Sequence, residues 1–421
     1  MKNTAKTRVL TSPKNTRPWL TVISAASFVL LINLLINLNV LTPYLSKELH
    51  FTAKEISTLF ACYYYANFFF VFFAGMILDR FSSRRVLIIS FIIANCSTLI
   101  FAFTKSWHLM AISRLLLGMV GSFSMLICIR LIQRWFQHHA FLFVTSVVTT
   151  YVALGGLIAQ TPLAIIIHKV GWRLALILNF LLGTLLCLLA IKYTWDDPLK
   201  KTNIDFTRTL NITAIKNVIT NTQNWLIGLY TSLSSLPNLF FSANWGIAYL
   251  QQANYFTEQK STLIISANIV GCALGPTLIA WSAKIIDNKK RALLICTLLA
   301  LVLLLTINYI KVNNLASFII LFFLFGIFAS EQFLTYPLIL KNNPKELSST
   351  SLGFVASLSA LSGVYMPAIG WLIDHENKPP ITNNYTYAIL FLALSLLISA
   401  LLILFIKDEK NINYSIKNKT V

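Results

Sequence analysis

The sequence predicts an all-α integral membrane protein of twelve transmembrane helices, built as two pseudo-symmetric six-helix bundles. Three observations carry this expectation. Hydrophobic residues make up 57% of the 421-residue chain and charged residues only 11%. A soluble domain carries roughly 25% charged residues, so most of this surface must face lipid. The apolar residues fall into twelve runs, each near the ~20 residues that cross a bilayer as a helix. The basic residues, finally, are distributed unevenly between alternate loops.

The elements follow in order. A basic tail over 1–18 leads into the first run, 19–44, which is too long for a signal-peptide core and ends in no small-residue cleavage site, so it is expected to stay as a helix. The second (55–78) and third (86–104) runs flank a short basic loop. The fourth (109–132) carries Arg114 near its start, and the fifth (140–167) holds Gly155, Gly156 and Pro162. The sixth (172–191) closes the first bundle, 19–191. The longest polar stretch, 192–222, contains WDDPLKK and is expected to be a linker. The second bundle, 223–406, holds runs at 223–250, 259–282, 292–310, 315–340, 348–371 and 385–406. A basic tail, 407–421, ends the chain.

Counting Lys and Arg by side gives 25 in the segments shared with both tails and the linker, against 8 in the alternate loops. By the positive-inside rule both termini and the linker are cytoplasmic. This topology accounts for the net charge of +20 without a nucleic-acid partner, since the basic residues lie between apolar runs and not in patches interleaved with aromatics. The six cysteines all lie inside apolar runs and form no C-x-x-C pair, so neither a disulfide framework nor a zinc site is expected. No G-x-x-x-x-G-K-[ST] loop, H-E-x-x-H pair or third ligand beside His138-His139 occurs, so neither ATP, metal nor other cofactor is expected.

The halves read as repeats. LLGMVGSF at 116–123 matches LFGIFASE at 324–331 at an offset of 208, Asp79 matches Asp287 at the same offset, and LGG at 154–156 matches LSG at 361–363 at 207.

The sharpest motif is Gly75-Met-Ile-Leu-Asp79-Arg80-Phe-Ser-Ser-Arg84-Arg85 between the second and third runs. It resembles the G-x-x-x-D-R-x-x-x-R-R loop of the major facilitator superfamily and lies where that family has it. There Gly75 would permit close helix contact, Asp79 at the membrane edge would pair with a neighbouring helix end or an arginine, Arg80 would belong to the same gating loop, and Arg84 and Arg85 would face the cytoplasm. The second copy keeps Asp287 but has Ala280 and Asn288 in place of the glycine and arginine. Arg114-Leu-Leu-Leu-Gly118 resembles the family's R-x-x-x-G motif, and GGLIAQTPLAIII at 155–167 its glycine- and proline-bearing fifth helix, without the G-P-x-x-G-G signature of drug–proton antiporters. GWR at 171–173 is frequent in bacterial members, whereas WDDP departs from the P-E-S-P-R of sugar porters. The fifth-helix segment and SLGFVASLSALSGVYMPAIGWLID at 351–374 are also similar to nutrient-uptake members from intracellular bacteria and to lysosomal dipeptide carriers. The resemblance implies two parallel six-helix halves rocking about a midplane site, with helices one, four, seven and ten lining the cavity.

Polar residues inside the runs are candidates for that site. Asn33 and Asn37 are four apart and share one helical face, from which Asn39 points away. Helix two carries Tyr63, Tyr64, Tyr65 and Asn67. Tyr230, Ser234, Asn238 and Ser242 form a stripe along helix seven that would line a cavity or a helix contact. Arg114 in helix four is costly in lipid and should face inward. Glu331, beside Gln332, is the one acid well inside an apolar run, where it could bind and release a proton. The expected function is proton-coupled uptake of a small polar solute (an amino acid, short peptide or organic anion) by a monomer in a bacterial plasma membrane. Arg114 would hold an anionic group, Asn33, Asn37, Tyr230 and Asn238 would hydrogen-bond the solute, and Glu331 would carry the proton. A drug or metabolite exporter is the alternative within transport. A polytopic enzyme or sensor is the alternative outside it, but no clustered catalytic residues and no soluble domain are visible.

Overall fold

A computed structural model describes residues 16–136, 140–196, 212–286, 289–309, 314–344, 348–376 and 385–407. Asp287, Asn288 and His138-His139 lie outside the described residues, as do the side chains of Asp79, Arg80 and Ala280.

Every described regular element is helical. The first half comprises α1 (Arg17–Ile36), α2 (Thr42–Leu49), α3 (Ala53–Arg80), α4 (Ser83–Phe103), α5 (Trp107–Trp135), α6 (Phe141–Ile158), α7 (Thr161–Val170) and α8 (Trp172–Tyr193). After a short helix in the linker, α9 (Ile212–Thr220), the second half comprises α10 (Thr222–Leu239), α11 (Gly246–Ala253), α12 (Glu258–Ile286), α13 (Lys289–Tyr309), α14 (Leu315–Phe328), α15 (Thr335–Lys341), α16 (Ser348–Ser359), α17 (Leu361–Val364), α18 (Met366–Glu376) and α19 (Thr386–Phe405). Nine of the described helical courses are long and apolar enough to cross a membrane.

Local chemistry explains the boundaries. Thr52 and Glu55 form a reciprocal capping box at the start of α3, satisfying two orphan backbone donors. Ser82 caps α4, and the Asp196 carboxylate adds a second acceptor there, taking a hydrogen bond from the Arg84 amide at 2.8 Å and one from the Ser82 hydroxyl. Gly171 joins α7 to α8 at φ +82°, a conformation that L side chains rarely adopt.

The helices of the first half enclose one buried cluster that includes Val22, Phe28, Phe91, Val120 and Ile132. Helix α5 packs along α3, and α14 along α12. Glycine lets both pairs approach. A Cβ added to Gly118 would sit 2.0 Å from the Tyr63 carbonyl oxygen, and one added to Gly326 would sit 2.1 Å from that of Asn268. These two glycines are the ones that the 208-residue offset aligns, so the sequence repeat corresponds to a repeated packing contact. Gly75 differs: an added Cβ would meet nothing within 4 Å. The close contact expected of it is absent in this conformation.

Five expected spans are not continuous α-helices. The first stops at Ile36, with Asn37 extended at ψ 121°. The fifth breaks at Ala159-Gln160. The seventh passes through a π-helical turn at Phe240–Asn244, three residues after Pro237, where the ring removes a hydrogen bond and crowds the preceding turn. The tenth passes through a 3₁₀ turn at Glu331–Leu334, and the eleventh is divided among α16, α17 and α18. The lengths of the apolar runs register none of these breaks, because a run does not show where its helix is interrupted.

Three breaks meet. The Leu38 amide donates to the Ala243 carbonyl at 3.0 Å. Asn39 Nδ2 donates to the Phe241 carbonyl at 2.7 Å, and its Oδ1 accepts from the Ile247 amide at 2.8 Å. Thr42 donates to the Asn244 carbonyl at 3.0 Å. From the third break, buried Gln160 donates to the Ser242 carbonyl at 2.8 Å. Nearby, Trp245 Nε1 donates to Ser57 at 2.8 Å, and Asp374 accepts from the Ala53 and Lys54 amides at 2.8 Å each. All of these bonds cross between the halves at the end that carries His50, and together they form a seal. Asn39 is fully buried and acts in it as an artificial peptide group, both donor and acceptor. Asn39→Ala should therefore open the seal. Two lost bonds at about 1 kcal/mol each predict amide hydrogen exchange at 38–42 and 241–247 that is faster by roughly thirtyfold. Unchanged exchange would mean that the backbone bonds hold the seal alone.

Candidate functional site

The structure distributes the candidate residues over three places. Between the halves, next to the seal, lies a cavity of about 270 Å³. Tyr64 and Asn67 of α3 form one wall, and Ser235 and Asn238 of α10, Gln332 of the 3₁₀ turn, and Ser359 and Ser362 line the rest. Its polar groups are all neutral. Asn238 is held by the second half, accepting from Asn268 Nδ2 at 2.9 Å and from the Cys272 thiol at 3.4 Å, so its amide nitrogen is left for other partners. Of the residues expected to bind solute, this cavity contains Asn238 alone.

The second place is inside the first half. Arg114 is 3% exposed and donates from both terminal nitrogens, to the Leu35 carbonyl at 2.8 Å and the Ile36 carbonyl at 2.7 Å. Those are the last two carbonyls of α1, which the break at Asn37 leaves without intrahelical donors. A cation is also favourable at a helix C-terminus. Arg114 thus serves as the cap of a broken helix in this conformation, which motif spacing could not reveal because the break itself was not legible. Its Nε has no hydrogen-bond partner. A small cavity of about 30 Å³ adjoins it, lined also by Asn37, Ser97, Thr98, Ser113 and Asn179. That volume suits one or two waters. Asn33 and Asn37 do not present a common helical face, because α1 has ended at Asn37. Each donates to a carbonyl four residues back, Val29 and Asn33, at 2.9 Å, and Asn37 Oδ1 accepts from Gln160 at 3.4 Å.

The third place is inside the second half. Glu331 is 1% exposed and Tyr230 fully buried. Tyr230 Oη lies 3.3 Å from Glu331 Oε1 and 3.1 Å from Thr297 Oγ1, and Thr297 donates to the Leu293 carbonyl at 2.9 Å. Glu331 Oε2 has no partner. One phenolic proton cannot serve both neighbours. If Glu331 is neutral, its own proton completes the chain Glu331 to Tyr230 to Thr297 to Leu293, each group donating once. If Glu331 is ionised, Tyr230 must turn to it. A buried carboxylate with hydroxyl partners is also poorly solvated. Glu331 and Gln332 are consecutive in one 3₁₀ turn, so the buried acid and the cavity wall share one turn of backbone.

The stripe expected along the seventh span is accordingly split: Tyr230 faces Glu331, Asn238 faces the cavity, and Ser242 lies in the π turn at the seal. Sequence reasoning noted Tyr64, Asn67 and Gln332 but did not assign them to the site. The signal was there, since each is a polar group deep in an apolar run. At the linker end, Arg84 donates to the Ile191 carbonyl at 2.6 Å, tying the motif loop to the end of α8. All six cysteines are free, and no group of metal-binding side chains occurs among the described residues.

Comparison with known proteins agrees with this architecture. A variant of the nucleoside transporter NupG superposes with a TM-score of 0.76 at 13% identity, covering 93% of this chain and 100% of that one. A bacterial homologue of the human lysosomal transporter Spinster, solved in an inward-facing and occupied conformation, superposes with a TM-score of 0.69 at 12% identity, over 93% and 96%. At these identities the likeness concerns the fold. A probable sulfoacetate transporter, SauU of Cupriavidus necator, is 23% identical over 142 residues, 34% of this chain and 33% of that protein. The nitrate/nitrite transporter NrtP of Nostoc punctiforme is 36% identical over 93 residues, 22% of this chain and 18% of that protein. The match thus spans a third or less of either curated relative. The profile of the Major Facilitator Superfamily matches residues 23–245 and again 227–420. With both halves of the chain matched, the protein belongs to the Major Facilitator Superfamily.

Proposed function

We propose that the protein takes up a small polar solute by alternating access, driven by protons that load on Glu331. The observation that carries this reading is the cavity between the halves, lined by neutral hydrogen-bonding groups and separated by one 3₁₀ turn from a buried carboxyl. Tyr64 would stack on or hydrogen-bond the solute, and Asn67, Asn238, Gln332 and the serines would read its polar edges. With both termini cytoplasmic, a placement that the charge distribution supports, the seal at the His50 end is periplasmic and the conformation faces inward. The two bundles are residues 19–191 and 223–406, and rocking between them would break the seal and close the opposite side. Absence of the antiporter signature from the fifth span supports uptake over export.

The lining favours a solute without net charge, such as a zwitterionic amino acid, a short peptide or a polar ring. A second reading, an organic anion, is supported by the unpartnered Nε of buried Arg114 and by the anions named for the curated relatives. Counter-flow in liposomes with a panel of neutral and anionic metabolites separates the two. Neutral solutes should exchange and compete. Exchange confined to anions would overturn the first reading in favour of the second.

The loop after the second span, Gly75 to Arg85, would act on the rocking equilibrium, with Gly75 meeting its neighbour only when this side closes. Asp79→Asn should slow maximal transport about tenfold, the scale of one charge-assisted hydrogen bond, with substrate affinity nearly intact. Initial-rate kinetics test this, and a rise in KM at full maximal rate would contradict it.

A further inference from the structure

Along the seam between the halves, at the sealed end, runs a groove of about 300 Å³ that shares no lining residue with the central cavity. Thr161, Ala164, Ile165, His168 and Lys169 of α7 form one wall, and Glu258, Gln259, Thr262 and Leu263 of α12 the other. Both sets follow helical spacing, so each wall is one helix face. The walls belong to different halves, and a hydrogen bond of 3.1 Å between Thr161 and Ser266 ties them near the groove's apolar end.

Polarity divides the groove lengthwise. His168, Lys169, Glu258 and Gln259 gather at one end, level with charged residues such as Lys47, Glu48, Lys54, Arg173 and Lys260 that mark the aqueous boundary. Ala164, Ile165 and Leu263 lie one turn deeper. Ile165 is 47% exposed and Leu263 46%, so the deep end faces lipid tails. Across the polar end the charges are opposite. Lys169 stands on the α7 wall and Glu258 on the α12 wall, and no ion pair joins them among the described residues. Glu258 is oriented by Tyr44, whose hydroxyl lies 3.3 and 3.2 Å from its two oxygens.

We propose that this groove binds an aminophospholipid, one with a phosphate and a primary ammonium in its headgroup. The phosphate would meet Lys169 and His168, the ammonium would donate to Glu258, and one acyl chain would lie over Ile165 and Leu263. A zwitterion matches both walls at once, whereas an anionic headgroup would meet Lys169 but be repelled by Glu258. A headgroup bridging the two walls favours the conformation closed at this end.

The test uses the full-length protein, delipidated in detergent and titrated with short-chain phosphatidylethanolamine, phosphatidylcholine, phosphatidylglycerol and tail-free phosphoethanolamine. Bound lipid is counted by native mass spectrometry. Phosphatidylethanolamine should bind about tenfold more tightly than phosphatidylcholine, whose quaternary ammonium has no N–H to donate. Tail-free phosphoethanolamine should not bind. Glu258→Gln should erase the preference, and Lys169→Gln should weaken both lipids alike, since both carry the phosphate. Leu263→Trp, an exposed substitution that fills the deep end and keeps both charges, should weaken every tailed lipid and tests the groove even if a charge variant folds poorly. In nanodiscs, exchange at residues 38–42 should be slower with phosphatidylethanolamine than with phosphatidylcholine. Equal affinity for these two lipids, a preference for phosphatidylglycerol, equal binding of the tail-free headgroup, a preference that survives Glu258→Gln, or affinity unchanged by Lys169→Gln would each overturn the proposal.

Discussion

Glu331→Gln should abolish proton-driven accumulation of the solute and leave solute-for-solute exchange intact. Glutamine has the shape of a neutral glutamic acid and keeps a donor where the acid carries its proton. It can hydrogen-bond Tyr230, and Tyr230 can still serve Thr297, so the buried chain of donors persists and the protein should fold. What is lost is the ability to release the proton. Exchange needs only the loaded carrier to rock in both directions, and a permanently neutral carrier can do so. Net accumulation needs the empty carrier to return without the proton. With one proton per solute, a gradient of one pH unit supports roughly tenfold accumulation. The mutant ratio should fall to about one. The measurement is uptake into liposomes with an imposed pH gradient, beside exchange in the same preparation. A mutant that still concentrates solute would make Glu331 structural and move the coupling elsewhere.

The fold was legible from the sequence to the level of helices, and the reason is physical. Long apolar runs and basic loops are properties of the chain that the bilayer reads directly, and nine of the described helical courses are long and apolar enough to cross a membrane. What was not legible is where those courses break. Asn37, Gln160, the residues around Ser242 and Glu331 sit inside runs that read from end to end as single helices. Only tertiary partners (Arg114 under the end of α1, Asn39 against the π turn) make the breaks tolerable. The candidate site suffered accordingly. Asn33 and Asn37 were grouped by helical spacing that ends between them, and Asn39 was set aside as pointing elsewhere when it proves central to the seal. Glu331 and Tyr230 were found separately, one as an isolated acid and the other on a polar stripe, and the structure puts them 3.3 Å apart. Spacing along one helix cannot foresee such a pairing between two.

Arg114→Lys separates the two roles open to this residue. In the structure its planar fork bridges two successive carbonyls, Leu35 and Ile36. An ammonium is a point charge without that fork, so lysine can cap one carbonyl well and leaves the other without its charged donor. A buried hydrogen bond to a charged group contributes about 1.5–3 kcal/mol. Its loss would fall on the extended segment after Ile36, where Leu38, Asn39 and Thr42 build the seal. The conformational step should therefore slow by roughly ten- to a hundredfold, and the effect should be the same for every solute, with KM little changed. If Arg114 instead grips an anionic solute, the damage follows the solute's charge: KM for anions rises while neutral analogues are transported as before. Initial rates for a neutral and an anionic solute, measured side by side in wild type and mutant, decide between them. A charge-dependent KM effect would return Arg114 to the binding site, and a uniform loss of rate would establish it as the residue that holds the first helix open at its break.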